Sequence, residues 1–347
     1  MNFFRLHRGA RPPARSMALA IAILTCTSAI AVATEADAAL AATPLAQAAA
    51  RLQSDYRHQQ WQRLSQRSDR DSLVAAVLLG MATESDAKPL RGNVDTEQRL
   101  AAAFGQDPLA AFTLALACEV QSEPCAHPEY YDTLVRIAGD NAVHWLLLPN
   151  AATPSDAQLH AAASADQADS HLAEVIGIVR AALADQPAPA SSSDVDAHAL
   201  ASLLRRNAVD QVPLPKFAPT VVLCKTAVGE RRADCIELAH HLIGDRSGAI
   251  LTSMLGGVIL RRLAKGTPDD AAAKESRRSY VWLSQQLEAS KAAYQEQLQS
   301  EVVDLGEWEA WQRCAERLGA LRAPPAGWMP QNPNLLLLSE DRRPAAH

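Results

Sequence analysis

The sequence predicts an all-α protein, and three observations predict it. About a fifth of the 347 residues are alanine and only 15 are glycine, a bias toward the best helix former. A polar residue stands directly before proline at Thr43-Pro44, Asp107-Pro108, His127-Pro128, Thr153-Pro154 and Thr267-Pro268. Each marks a helix start, because proline at the first helical position loses no hydrogen bond. Apolar residues then return at helical spacing, as Leu134, Val135 and Ala138 or Leu172, Val175, Ile176 and Val179 do. No run shows the strict alternation of a half-buried strand.

The amino terminus is the first element. Arg5, Arg8, Arg11 and Arg15 precede a weakly polar run from Met17 to Val32, which ends in Ala31-Val32-Ala33. Charge, length and small residues at that spacing predict a signal peptide over 1–33, cleaved after Ala33 or, at a second site, after Ala38. A retained anchor needs roughly 20 apolar residues with fewer small ones, and no later segment reaches that length uncharged. Ile23-Leu24-Thr25-Cys26 approaches a lipobox, but Thr25 is large for the position before the cysteine and apolar sequence continues beyond it. The expectation is a periplasmic or secreted chain without lipid and without a transmembrane segment. Loss of the four arginines takes the formal charge from −6 to −10 after Ala33; cleavage after Ala38 also removes Glu35 and Asp37, leaving −8. Either value argues against nucleic-acid partners, which need clustered positive charge.

Five cysteines remain after such a cleavage: Cys118, Cys125, Cys224, Cys235 and Cys314. Two close pairs flank polar turns between apolar helical segments, so disulfides Cys118–Cys125 and Cys224–Cys235 are expected in an oxidising compartment. Neither pair has the spacing of a structural zinc site. Cys314 shares an apolar stripe with Trp311 and Leu318 and is expected to stay a buried thiol.

An internal period organises the first half. Asp71-Ser-Leu-Val-Ala-Ala-Val-Leu returns 36 residues on as Asp107-Pro-Leu-Ala-Ala-Phe-Thr-Leu, and 33 residues later as Asp140-Asn-Ala-Val-His-Trp-Leu-Leu. Each copy opens on an aspartate, read as a cap, and a second helix such as Pro128 to Gly139 lies between copies. In period and layout the segment from about 70 to 185 resembles the tetratricopeptide-like superfamily. That resemblance implies a helix–turn–helix array, a right-handed α-solenoid; the alternative is an alanine-rich helical bundle with chance periodicity. A helical-repeat block is therefore expected over 34–185, a Pro/Ser-rich linker over 186–193, and a second helical block over 194–322. Within that block Val212 to Pro219 reads as extended, and long helices are expected from Pro268 to about Gln299 and from about Val302 to Leu321. The proline-rich tail, 323–347, reads as mobile, with a Leu335–Leu338 run able to dock on the body.

Chemistry is sparse. Glu237, His240 and His241 sit on one helix but match no metalloprotease motif, and Ser85-Asp-Ala-Lys88 spells S-x-x-K where a helix ends rather than starts. His160, Asp166, Asp169 and His171 lie in one polar stretch with nothing that makes them converge on a metal. No cofactor, metal or catalytic residue is assigned. Among several adjacent arginine pairs, Arg231, Arg232, Arg261 and Arg262 are a possible surface for an acidic partner. The leading expectation is an exported, non-catalytic helical-repeat protein that binds an unknown protein or peptide in a groove. The runners-up are an enzyme with scattered active residues, with His240 or His241 as its handle, and an immunity-type protein with one dedicated partner.

Overall fold

A computed structural model describes residues 44–81, 90, 92–120, 124–184, 196–246, 250–300 and 323–338, without the side chains of 250–251 and 287–300. The signal-peptide segment, the linker, Ser85 to Lys88, the second of the two long helices and Cys314 lie outside the described residues. Twelve α-helices are present among them: α1 (Pro44–Ser65), α2 (Arg70–Gly80), α3 (Asn93–Phe104), α4 (Pro108–Val120), α5 (Glu129–Ala138), α6 (Asp156–Ala163), α7 (Leu172–Leu183), α8 (Ala197–Asp210), α9 (Ala218–Lys225), α10 (Gly229–Ile243), α11 (Ile250–Leu263) and α12 (Asp270–Ser300). The one β-type pairing described is an isolated parallel bridge between Asn141 and Gln167. The described residues are all-α, and no described helix is long and apolar enough to cross a membrane.

Two helices are apolar on every face, and that pattern fixes the core. Leu73 to Gly80 of α2 and Leu109 to Glu119 of α4 are buried without interruption. Four neighbours enclose α2, namely α1, α3, α4 and α7; α4 is enclosed by α2, α3, α5 and the 3₁₀ turn Pro149–Ala151. α7 lays Leu172, Val175, Ile176, Val179 and Leu183 inward, the stripe its sequence spacing predicts. α8 then crosses back onto α1, and α6 packs on α10. Helices from either side of the 186–193 segment thus interpack, and the described residues cluster as one compact unit.

The three repeat copies fare differently. Asp107 Oδ1 accepts from the backbone N–H of Leu109 and Ala110, each at 3.0 Å, and starts α4 as expected. The first helix is capped two residues earlier than its Asp71, by Asp69, whose Oδ1 accepts from Ser72 N at 2.9 Å. The third copy is not an α-helix. Asp140 caps nothing; its carbonyl accepts from Asp166 N and Gln167 N, and the chain runs through a 3₁₀ turn, His144–Leu146. Local pattern is overridden there by bonds to a segment 25 or so residues downstream.

Residues 323–338 are docked rather than free. Arg277 Nε donates to Leu335 O at 3.0 Å, and Arg278 Nη1 donates to Pro325 O and Trp328 O, both at 3.2 Å. Trp328 meets Trp282 edge to face at 5.1 Å, so the stretch of tail lies along α12, and Leu338 is buried as its apolar run predicts.

Candidate functional site

The first turn of α2 and the outer face of α7 frame a shallow groove of about 300 Å³. Asp71 and Ser72 line one wall, and Ala173, Glu174, Gly177, Ile178, Ala181 and Ala182 form the other wall and the floor. Apart from Ile178, α7 turns mostly alanine and glycine toward the groove, while Leu172, Val175, Ile176, Val179 and Leu183 face the core. Carboxylates edge one end, with Asp71 held by Arg70 Nε at 2.8 Å and Glu174 3.6 Å from His171 Nδ1. At the other end Arg63 Nη2 donates to Ala182 O at 2.8 Å. Gly177 is the unusual residue: a Cβ built on it meets nothing within 4 Å. Glycine in a helix interior is destabilising by roughly 0.5–1 kcal/mol relative to alanine, and packing does not require it here.

The amino-terminal end of α7 is pinned by a compact polar junction. His144 is 1% exposed, and its Nδ1 lies 2.7 Å from Ala138 O. Asn141 Oδ1 accepts from Val143 N and Asp169 N, at 3.1 and 3.0 Å, so its Nδ2 is the donor, to Asp169 O at 2.8 Å and toward His144 Nε2 at 3.0 Å. His171 Nε2 lies 3.1 Å from the same His144 atom, with the rings stacked and Phe112 against both. Ser170 is tied to Asp245 through its backbone N–H and its hydroxyl. Burial pushes the His144 imidazole down to about 4, with the neighbouring His171 adding to the effect.

Two buried carboxyls shift the other way. Burial raises Glu119 to about 8; its Oε1 accepts from Lys216 N at 3.0 Å, and its Oε2 has no partner among the described residues. Lys216 Nζ in turn donates to Val120 O at 3.2 Å, so the extended segment before α9 is clasped to the end of α4. Burial raises Glu97 to about 7, opposed by His127 and by the hydrogen bond from Asn93 Nδ2. Asn93 also accepts from Trp61 Nε1 at 3.1 Å, which locks α1 to α3.

The cysteines meet as their spacing predicts. Cys118 and Cys125 have Cα atoms 5.1 Å apart, and Cys224 and Cys235 5.7 Å, both pairs placed as disulfides within the span that bond requires. Three of the four arginines hold acceptors inside the chain. Arg231 grips Asp156 through two hydrogen bonds of 2.7 and 2.9 Å, Arg232 donates to Leu263 O, and Arg261 reaches Asp270 at 3.1 Å. Glu237 and His240 are exposed, while His241 Nε2 lies 3.1 Å from Ala163 O. Of the polar stretch, His160 turns away to Asp234, and Asp169 stays beside His171. No group of three metal-ligating side chains converges among the described residues. Sequence reasoning missed His144, which it carried only as one residue of the third repeat copy and gave no role; the polar Asn141 three residues earlier was the available signal.

Comparison of the chain with models of protein families, with curated protein sequences and with solved structures yields no match.

Proposed function

We propose that the chain is an exported helical-repeat scaffold, tetratricopeptide-like in its first two helix pairs, that holds a peptide or protein segment in the α2–α7 groove. The groove's glycine carries this reading. Gly177 is kept in a helix where alanine would be more stable and where no neighbour demands its small size, so the open floor itself is what the residue provides. The helix pairs α2–α3 and α4–α5, with α2 packed on α4, support the repeat layout. Two cysteine pairs at disulfide distance support maturation outside the cytoplasm. The groove is preferred here to the surface of Arg231, Arg232, Arg261 and Arg262, since Arg231, Arg232 and Arg261 already hold intramolecular acceptors.

Gly177→Trp puts a large ring into the groove from a position whose Cβ meets nothing within 4 Å, and circular dichroism checks that the fold is kept. Periplasmic extract passed over immobilised wild-type and Gly177→Trp protein should yield a species retained by the first and lost from the second. Equal retention by both, with matching circular dichroism, would remove the groove from the interaction.

A further inference from the structure

The first half of α12 turns two arginines toward backbone carbonyls, and the chain's own tail supplies those carbonyls. Arg277 Nε donates to Leu335 O at 3.0 Å, and Arg278 Nη1 donates to Pro325 O and Trp328 O. One turn beyond Arg278, Trp282 meets Trp328 edge to face. Among the described residues, no N–H of the tail donates to α12. They serve turns of its own instead: Trp328 N donates to Pro325 O, Leu335 N to Asn332 O and Leu337 N to Asn334 O.

Both arginines are set from within α12. Glu275 accepts from Nε and Nη2 of Arg278, each at 2.7 Å, which leaves Nη1 for the tail. The Arg277 guanidinium carbon lies 5.3 Å from the centre of the Tyr280 ring. Donors fixed in place by their own helix lose little freedom when an acceptor arrives, so this face recognises carbonyls at low entropic cost.

The tail is matched to that face and held lightly by it. Four of residues 323–338 are proline, which has no N–H to leave unpaired where the contacts are all donations from arginine. Most of the segment nevertheless stays in contact with solvent. Only Pro324, Pro330 and Leu338 are buried, and Trp328 is partly so. A second segment with the same prolines and a tryptophan would satisfy every one of these contacts.

We infer that α12 from Arg277 to Trp282 is a binding face for a proline-rich, tryptophan-bearing segment of a partner protein, and that residues 323–338 cover it as an autoinhibitory plug. The partner's segment takes the N–H donation of both arginines and the edge of Trp282, and the tail leaves. The exchange makes and breaks no covalent bond. It involves neither wall of the α2–α7 groove, so it stands whatever that groove holds.

A fluorescein-labelled peptide of sequence 323–338 tests it against the full chain. Wild type should bind the peptide weakly, because the tail competes from the same molecule. Trp328→Ala loosens the chain's own tail and leaves α12 unaltered, and should bind the peptide about tenfold more tightly. Adding Arg278→Ala to that variant should abolish the gain while the far-ultraviolet helical signal is kept. Replacing the four prolines of the peptide by alanine should abolish it too. In ¹⁵N-labelled wild type, excess unlabelled peptide should speed hydrogen exchange in the chain's own residues 328–338. Equal binding by wild type and Trp328→Ala, or a gain that survives Arg278→Ala or loss of the prolines, overturns the inference. So do tail amides still protected at the highest soluble peptide concentration, which would make the tail a fixed part of the fold. Dimerisation of the wild type at rising concentration, reversed by the peptide, would give the face to a second copy and overturn the partner.

Discussion

Glu119 shows what one buried atom does to the pH dependence of the whole chain. Its carboxyl is fully buried, with one oxygen on Lys216 N and the other unpartnered among the described residues. Below about pH 4.5 the group is protonated in folded and unfolded chains alike, and its contribution is intact. As pH rises toward 8 the unfolded chain ionises while the folded one resists, so stability falls across that window. Glu119→Gln keeps the acceptor and removes the charge. It should stabilise the protein by about 3 kcal/mol at pH 7 and by almost nothing at pH 4.5, read as thermal melts at the two pH values. His144 runs in the opposite direction, since its penalty grows on acidification. Their windows overlap, so the two effects offset each other from about pH 4.5 to 6.5 and the pair costs stability on either side of that range.

At the scale of helices, two glycines with the same local appearance do opposite things. Gly256 of α11 faces α10 so closely that a Cβ would sit 2.6 Å from Ala239 O and 2.9 Å from Ile243 N. Gly256→Ala must push the helices apart, and should lower stability by about 1–3 kcal/mol in denaturant titrations. Gly177→Ala should raise it by about 0.5–1 kcal/mol, because only helix propensity changes there. Nothing in the sequence around either glycine announces this difference. What could be read was one-dimensional: the Asp107 cap, the buried stripe of α7, the extended run before α9, the long α12 and the cysteine spacing. Asp71 was misplaced as the cap because Asp69 offers the same chemistry two residues earlier. Asp140 has the same local signature as Asp107, yet Asn141 and His144 tie its segment to 167–171, and no window of sequence contains both partners. The groove was invisible for the same reason, since its walls come from helices that begin at Arg70 and Leu172.

Across the whole molecule, the disulfides close short loops and the core carries most of the fold. By chain entropy each staple contributes about 2.5–3 kcal/mol, so reduction should lower the Tm by on the order of 10 °C and leave the far-ultraviolet helical signal in place. Non-reducing peptide maps of secreted material should show Cys118 with Cys125 and Cys224 with Cys235; a link from Cys314 to any of the four would undo that pairing. The return of α7 onto α2 and of α8 onto α1 reaches further than stability. In a linear array each unit completes its contacts with the next, and folding can begin anywhere and spread. Here the first two described helices keep an uncovered flank until residues 172–210 arrive, so their packing waits on partners far along the chain, whose contacts cost loop-closure entropy before they form. A chain emerging amino end first must hold one flank of α2, a helix apolar on every side, beside solvent until α7 has been made. Its vulnerable moment is during synthesis and passage, before the return helices close over the start.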